Sequence, residues 1–140
     1  MSEQQLVVFL IGSERYAFPI LMVREIIPHQ PMTHVPGMPS YMEGIIDLRG
    51  QILPVMDLRR RMGMAPVPAG EEARIVVAES GGTSAGCVVD GVAEVVRISP
   101  DAVVPVAESV GSQSDYLTGV VRVDDKLVLL IDPHRVLSRS

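Results

Sequence analysis

The sequence predicts an all-β protein made of two similar halves, each with five short strands that suit a small barrel. Valine and isoleucine, which favour strands, occupy 32 of the 140 positions, and tryptophan is absent. The 12 glycines and 11 prolines are spread along the chain, which is typical of many short elements separated by turns. The third observation is an internal repeat.

Two offsets superpose the second half of the chain on the first. An offset of 69 residues aligns 7–27 with 76–96, with apolar positions on apolar positions. An offset of 75 aligns 41–57 with 116–132, where a Tyr-x-x-Gly motif is followed by an aspartate thirteen residues after the glycine. A repeat at this spacing indicates two structural units. Each is too small to bury a sufficient core alone, so we expect the halves to pack together and leave a groove at their junction.

Both halves contain the same order of predicted elements. Two strands joined by a polar turn are followed by a third strand, a proline-rich linker (29–40 or 99–115), a hairpin and a short helix. Asp57 and Asp132 follow the hairpins as helix caps, and Gly63 closes the first helix. The predicted strands are 6–11, 16–20, 23–27, 45–48 and 51–56 in the first half, and 75–79, 85–89, 92–98, 120–123 and 126–131 in the second.

These elements predict one domain over 1–140. Its first barrel covers about 15–65, with a strand from 1–14 contributing, and its second covers about 73–137. Strand alternation further predicts that Val23, Glu25 and Ile27 share one face.

Composition disfavours several classes of function. The net charge is −5 and the chain has a single lysine, whereas nucleic-acid binders usually carry a basic face. The apolar run 6–11 is far shorter than the roughly 20 residues that cross a bilayer. The lone cysteine, Cys87, excludes an internal disulfide, is expected to be a buried, inert thiol, and fits a reducing cytoplasm.

No catalytic arrangement emerges from the residues. The three histidines lack metal-ligand spacing, and the glycine-rich stretch 80–86 lacks the Lys-Ser/Thr ending of a phosphate-binding loop. The acidic residues do not form a pair suited to acid–base chemistry. We therefore expect a binding protein with no metal and no cofactor, and not an enzyme.

The two matching hairpin tips carry opposite charges. The first reads Leu-Arg-Gly-Gln with Arg49, and the second reads Val-Asp-Asp-Lys with Asp124 and Asp125. Asp47 lies two positions before the arginine, and by alternation its carboxylate could orient the guanidinium. Arg49 is either a solvated turn residue or a positioned functional one.

The stretch 44–58, Gly-Ile-Ile-Asp-Leu-Arg-Gly-Gln-Ile-Leu-Pro-Val-Met-Asp-Leu, resembles the signature of the CheW family of chemotaxis coupling proteins. The segments 23–26, 88–94 and 116–119 are similar to further landmarks of that family, and the resemblance extends from Val7 to Leu137. Asp47 departs from the asparagine usual beside the arginine. The resemblance implies two five-stranded SH3-like barrels about a pseudo-twofold axis.

It also implies a non-catalytic cytoplasmic adaptor, associated with membrane receptor arrays. Such an adaptor bridges the cytoplasmic tips of methyl-accepting chemoreceptors to the regulatory domain of a CheA-type histidine kinase. Carried over to this sequence, a groove between the halves would receive a receptor helix pair through Ile20, Val23, Glu25, Ile26, Gly44 and Arg49. Kinase docking would involve Ile75, Gly86, Val92 and Val95.

The sequence is compatible with two other functions. The same biochemistry could serve a non-flagellar chemosensory pathway, such as twitching motility or development. A small acidic barrel could instead bind short peptides or oligonucleotides, although the chain offers few aromatic side chains for base stacking.

Overall fold

The computed structural model describes residues 3–105 and 115–138. Strands dominate this range, so the predicted all-β class is confirmed. Residues 106–114 of the predicted second linker lie outside the described residues. The strands are β1 (Gln4–Ile11), β2 (Glu14–Pro19), β3 (Val23–Pro28), β4 (Met42–Leu48), β5 (Gln51–Asp57), β6 (Arg74–Ser80), β7 (Thr83–Val89), β8 (Gly91–Ile98), β9 (Val104–Pro105), β10 (Leu117–Val123) and β11 (Lys126–Ile131). The helical elements are α1 (Leu58–Arg61), α2 (Pro133–Leu137) and the 3-10 turns Ile20–Met22 and Pro100–Ala102.

Both α-helices begin where the sequence predicts. An oxygen of Asp57 accepts a hydrogen bond from the Arg59 backbone at 3.0 Å, and Asp132 accepts one from the His134 backbone at 2.9 Å. Each aspartate thus satisfies one of the unpaired amides of the first helical turn. Gly63, with a φ of 84°, follows α1 and donates to the Arg60 carbonyl, which confirms that it closes the helix.

The strands form two sheets, and each sheet takes strands from both repeats. The first sheet has the order β8-β1-β2-β11-β10-β9, and the second has the order β3-β6-β7-β5-β4. The opening hairpin of each repeat therefore pairs with the later strands of the other repeat. The boundaries near residues 65 and 73 separate the two repeats in sequence, but they do not separate the two sheets.

The pairing pattern is the same in both sheets. The antiparallel pair β1–β8 corresponds to β6–β3, and the parallel pair β2–β11 corresponds to β7–β5. Even the register shifts correspond, because β10–β11 and β4–β5 both slip beside the glycine of the Tyr-x-x-Gly motif. The internal repeat thus extends to the hydrogen-bonding register.

Apolar side chains form a core within each sheet and a third core between the sheets. Ile27 of β3 and Ile46 of β4, on the two edge strands of the second sheet, meet in the same core, so this sheet curls around its own interior. Phe9 and Phe18 lie in the core between the sheets. Leu6 and Val8, on the opposite face of β1, belong to the core of the first sheet. Burial on both faces explains why 6–11 is a continuous apolar run rather than an alternating one.

A bulge in β3 overturns one prediction about its faces. Val23 lies opposite Ala78 and Glu25 lies opposite Val77, so the register shifts between these two residues. Val23 and Ile26 consequently lie on the face toward the other sheet, while Glu25 lies on the opposite face. The expectation that Val23 and Glu25 share a face is wrong, because an extra residue in a bulge reverses the alternation.

No helix within residues 3–105 and 115–138 has the length and apolar character needed to cross a membrane.

Candidate docking surfaces

The edge strand β3 presents the first group of predicted contact residues. Ile20 is half-buried in the 3-10 turn before β3, Val23 is half-buried against the core between the sheets, and Ile26 is 40% exposed. Val23 and Ile26 lie on one face because of the bulge. β3 therefore offers an apolar surface that is open at one edge of the sheet.

Arg49 and Glu25 form an ion pair on the opposite face of the same edge strand, β3. Arg49 (φ 51°) and Gly50 (φ 86°) form the two-residue turn between β4 and β5, and the turn aims the guanidinium at β3. The hydrogen bond to Glu25 raises the pKa of Arg49. Two charged residues that the resemblance implies as receptor contacts are thus brought together as a pair, although Arg49 itself stays largely exposed.

Asp47 does not orient Arg49. Its carboxylate accepts a hydrogen bond from the Gly50 backbone at 2.8 Å and so stabilises the turn. The expected contact with the guanidinium is wrong, because the carboxylate bonds to the turn backbone and Glu25 reaches the arginine from β3. Strand alternation alone could not reveal Glu25, which is 24 positions away in the sequence.

Arg24 of β3 forms a second polar link to other strands of the second sheet. The Arg24 guanidinium donates to the Ser84 hydroxyl at 3.2 Å and to the Gln51 side chain at 3.3 Å. This link and the Glu25–Arg49 pair tie edge strand β3 to the β4–β5 hairpin, and together they are called the seam of the first repeat.

Gly44 lies apart from the exposed surface on β3. It is buried on β4 with a φ of 154°, and a Cβ atom there would stand 2.5 Å from the Thr33 carbonyl oxygen. Ile45 exchanges two backbone hydrogen bonds with Thr33, both 2.9 Å long. The glycine allows this close approach of the linker to β4, so its visible role is to fix the backbone.

The residues predicted for the second partner are divided between the two sheets. Ile75 is fully buried in the core of the second sheet, and Gly86 faces it so closely that a Cβ atom would stand 2.6 Å from an Ile75 methyl group. Val92 and Val95 lie on β8 of the first sheet, at the positions equivalent to Val23 and Ile26. Val95 is 52% exposed. β8 therefore repeats the apolar edge of β3.

The charges beside the two apolar edges differ. The equivalents of Glu25 and Arg49 are Glu94 and Asp124, and the turn of the second hairpin has nearly the same backbone, with a φ of 50° at Asp124. The first edge carries opposite charges that pair, whereas the second carries two carboxylates. The two surfaces thus have the same shape of backbone and different electrostatic character.

Leu21 is an exposed feature that the sequence reasoning missed. Its side chain is 97% exposed in the turn that leads into β3. The internal repeat could have predicted this exposure, because Leu21 aligns with Asp90, a polar residue. An apolar side chain at a position that its repeat fills with a carboxylate is expected to face solvent.

A groove of about 510 Å³ lies where the two repeats meet. Ala85 of β7 forms part of its wall and aligns with Tyr16 of the first repeat, so a small side chain leaves space where its equivalent is large. A groove is thus present at the junction, but none of the six residues expected to receive a receptor there lines it: Ile20, Val23, Glu25, Ile26, Gly44 and Arg49 all lie elsewhere. Its other lining residues are apolar or small for the most part: Val35, Pro36, Gly37, Met38, Pro39, Tyr41, Met42, Pro54, Met56, Thr83, Ser84, Val136 and Leu137.

Polar groups near α1 are held by internal partners. Asp90 accepts hydrogen bonds from Arg59 and, at 2.6 Å, from the Gly12 backbone. Partial burial opposes ionisation of Asp90, but these hydrogen bonds outweigh it, so its pKa lies below the ordinary value. Burial raises the pKa of the Cys87 thiol to about 12, and Cys87 is fully buried as predicted.

Within the described ranges, no three histidine, cysteine or acidic side chains are grouped so as to hold a metal ion. Two apolar strand edges, a junction groove and paired surface charges are suited to holding other macromolecules. The arrangement fits a module that binds other macromolecules.

The chain belongs to the CheW family. The family model for the CheW-like domain matches residues 5–140. The chain is 32% identical over 136 residues to the chemotaxis protein CheW of Klebsiella aerogenes, covering 96% of this chain and 82% of that protein. It is 31% identical over 120 residues to protein FrzA of Myxococcus xanthus, covering 86% and 75%. The structure resembles that of the scaffolding protein TtCheW from Thermoanaerobacter tengcongensis, with a TM-score of 0.86, 34% identity and coverage of 93% and 89%. The chain is thus a chemotaxis adaptor of the CheW family.

Proposed function

We propose that this protein couples the cytoplasmic tips of methyl-accepting chemoreceptors to a CheA-type histidine kinase, as a non-catalytic adaptor. The observation that carries the proposal is the presence of two equivalent apolar strand edges with different charges. Each edge would serve one partner, and the difference in charge would keep the partners from exchanging places. In this proposal the protein is cytoplasmic and joins receptor arrays through its partners.

The receptor would dock at the edge formed by β3. Val23 and Ile26 would be apolar anchors for a receptor helix pair, with Ile20 extending the surface at the preceding turn. Glu25 and Arg49 would orient the helices from the other face of β3, because their paired charges lie on the same edge strand as the anchors. Gly44 would act from within by fixing β4 against the linker.

The kinase regulatory domain would dock at the equivalent edge, β8. Val92 and Val95 would contact the kinase directly, since Val95 is exposed. Ile75 and Gly86 would contribute only from the core of the other sheet, where they set the spacing of β6 and β7. The carboxylates of Glu94 and Asp124 favour a kinase surface that carries basic side chains.

A binding experiment with purified components tests the proposal. The immobilised protein is exposed to a receptor cytoplasmic fragment, to a CheA-type regulatory domain and to both together, and we expect each to bind alone and both to bind at once. Absence of binding to either partner contradicts the adaptor role. Titration with a fluorescent oligonucleotide is the control, and saturable binding there would instead favour a small-barrel nucleic-acid binder.

A single substitution tests the receptor side. Arg49→Ala should weaken receptor-fragment binding about tenfold or more, because it removes the cation that orients the helices. Binding of the kinase domain should stay the same, and the Tm should change by less than about 2 °C, since an exposed turn arginine contributes little to stability. Arg122→Ala, on the exposed face of β10, is the matched control. A Tm lowered by several degrees would assign Arg49 to the fold instead.

The similarity to protein FrzA favours a second candidate, an adaptor of a non-flagellar chemosensory pathway with the same biochemistry. Identifying the genes that lie beside the gene for this protein would distinguish the two. Fragments from each pathway can then be compared in the same binding experiment.

A further inference from the structure

Arg61, the last residue of α1, connects the two repeats. Its guanidinium carbon lies 4.6 Å from the centre of the Tyr41 ring and 5.0 Å from the centre of the Tyr116 ring. These tyrosines begin the two Tyr-x-x-Gly motifs, so one cation contacts the same position of both repeats. Cation–π contacts of this length stabilise the arrangement, more so where the side chain is partly withdrawn from water, as Arg61 is.

The same guanidinium binds the end of α2. Its Nε donates to the Val136 carbonyl at 2.9 Å, and its Nη2 donates to the carbonyls of Ser138 and, at 3.4 Å, Arg135. Nη1 donates to the Tyr116 hydroxyl at 2.7 Å. The last carbonyls of a helix have no partner within the helix, so Arg61 supplies donors to α2 from the other repeat.

α2 depends on such contacts for its position. It has only five residues, and a helix this short is not stable on its own. It packs on β6 and β7 of the second sheet, with Val136 in the core between the sheets. Val136 and Leu137 line the junction groove, while Val23 packs against the same core. The place of α2 therefore sets the shape of the surface between the repeats.

The first repeat provides the Arg61 cation that contacts both repeats. Arg61 aligns with Val136, so the second repeat has an apolar residue at the equivalent position, and that residue is one of those whose carbonyl Arg61 binds.

We propose that Arg61 is a positioning residue that fixes α2 as a wall of the junction groove and, through the core that Val136 shares with Val23, steadies the receptor-docking edge β3. The second part of this inference rests on the proposed function. The guanidinium does not contact the receptor. It acts through α2, whose release would let the groove widen while both sheets stay intact.

Amide hydrogen exchange measures the position of α2 directly. The amides of Val136 and Ser138 donate to the carbonyls of Asp132 and His134, at 3.3 and 3.1 Å, and so report whether α2 is formed. In Arg61→Met, which keeps an apolar chain between the rings, we expect these amides to exchange about tenfold faster or more, while those of β6 and β7 change less than about threefold. Arg61→Lys should be intermediate, because its ammonium lacks the planar fork that reaches several carbonyls. Arg122→Met is the matched control.

Receptor binding is measured on the same variants. We expect Arg61→Met to weaken binding of the receptor fragment about fivefold or more, mainly through faster dissociation. Unchanged exchange in α2, or exchange that rises equally in every strand, overturns the positioning role. Faster exchange in α2 with unchanged receptor affinity overturns its link to the receptor-docking edge β3. If the unsubstituted protein does not bind the receptor fragment, the proposed function and that link fail, while the exchange result decides the role of Arg61 in holding α2.

Discussion

The two repeats have the same strand pairing but fill the space between the sheets unequally. The first repeat contributes Phe9, Tyr16 and Phe18 to the shared core, with the Phe9 and Phe18 rings edge to face at 5.0 Å. The second repeat contributes small side chains at the equivalent positions: Ala78, Ala85 and Cys87. Three more aromatic residues would overfill this space, and three more small ones would leave a cavity. A repeated backbone can therefore pack on itself closely only if its side chains differ.

The two repeats also carry different charges at equivalent positions. The seam of the first repeat pairs Glu25 with Arg49, whereas the second repeat has Glu94 and Asp124 in those places. Two identical edges would offer the same surface to any partner. If each edge binds one partner as proposed, different charges on one backbone distinguish the two edges.

The largest effect on stability is expected from the aromatic residues that the first repeat contributes to the core between the sheets. Phe18→Ala should lower the free energy of unfolding by about 3–5 kcal/mol, because it leaves a cavity in a fully buried site. Cys87→Ala, at the equivalent position, should cost only about 1–2 kcal/mol. Urea denaturation measures both. Equal losses would mean that the two repeats share the core evenly, contrary to the comparison.

A smaller effect on stability is expected at Gly44, the glycine of the Tyr-x-x-Gly motif that both repeats contain. Gly44→Ala places a Cβ 2.5 Å from the Thr33 carbonyl oxygen at a φ of 154°, so the linker must shift, at a cost of about 2–3 kcal/mol. Gly37→Ala is the control, since its φ is 86° but no atom lies within 4 Å of the added Cβ, and it should cost about 1 kcal/mol. Thermal unfolding distinguishes them. A smaller loss for Gly44→Ala than for Gly37→Ala would show that the linker yields freely.

The sequence predicted the strands better than their partners. Alternation and turn residues located the strands from β1 to β8, β10 and β11 and both α-helices, because these signals are local. The exchange of hairpins between repeats was not predictable, since similar apolar faces allow pairing within or between repeats. The bulge after Val23 reversed the expected faces, and the partner of Arg49 came from a strand 24 positions away. The candidate docking surfaces depend on these non-local features, so the sequence could name candidate residues but not their arrangement.

Asp90 offers a pH-dependent test at a position where the repeats differ. Its pKa is lowered in the folded state, so its contribution to stability is present above the ordinary value of 3.8 and is lost as the pH falls below that value through the folded-state pKa. At pH 7, Asp90→Asn should cost about 1 kcal/mol, a value that allows for solvent screening of a partly exposed pair. Below pH 3.8 the difference from the unsubstituted protein should shrink.

Leu21→Asn, at the equivalent position of the first repeat, is the control for that experiment, because it removes no carboxylate. Its effect on stability should not change with pH. Chemical denaturation across a pH series measures both variants, and a constant difference for Asp90→Asn would show that Arg59 does not favour its ionised form.

The smallest effect is expected from giving the second repeat the charge of the first. Asp124 and Arg49 have nearly equal φ values, 50° and 51°, so Asp124→Arg fits the turn without new strain and places a cation toward Glu94. The Tm should rise by less than about 2 °C at low salt, and the rise should vanish at high salt, as for other exposed ion pairs. Asp124→Asn removes the carboxylate without adding a cation, so the difference between the two variants isolates the new pair. If the proposed docking is right, Asp124→Arg also weakens kinase binding, because a cation replaces a carboxylate that a basic partner would meet. Unchanged kinase binding would show that the charge difference between the repeats does not select the partner.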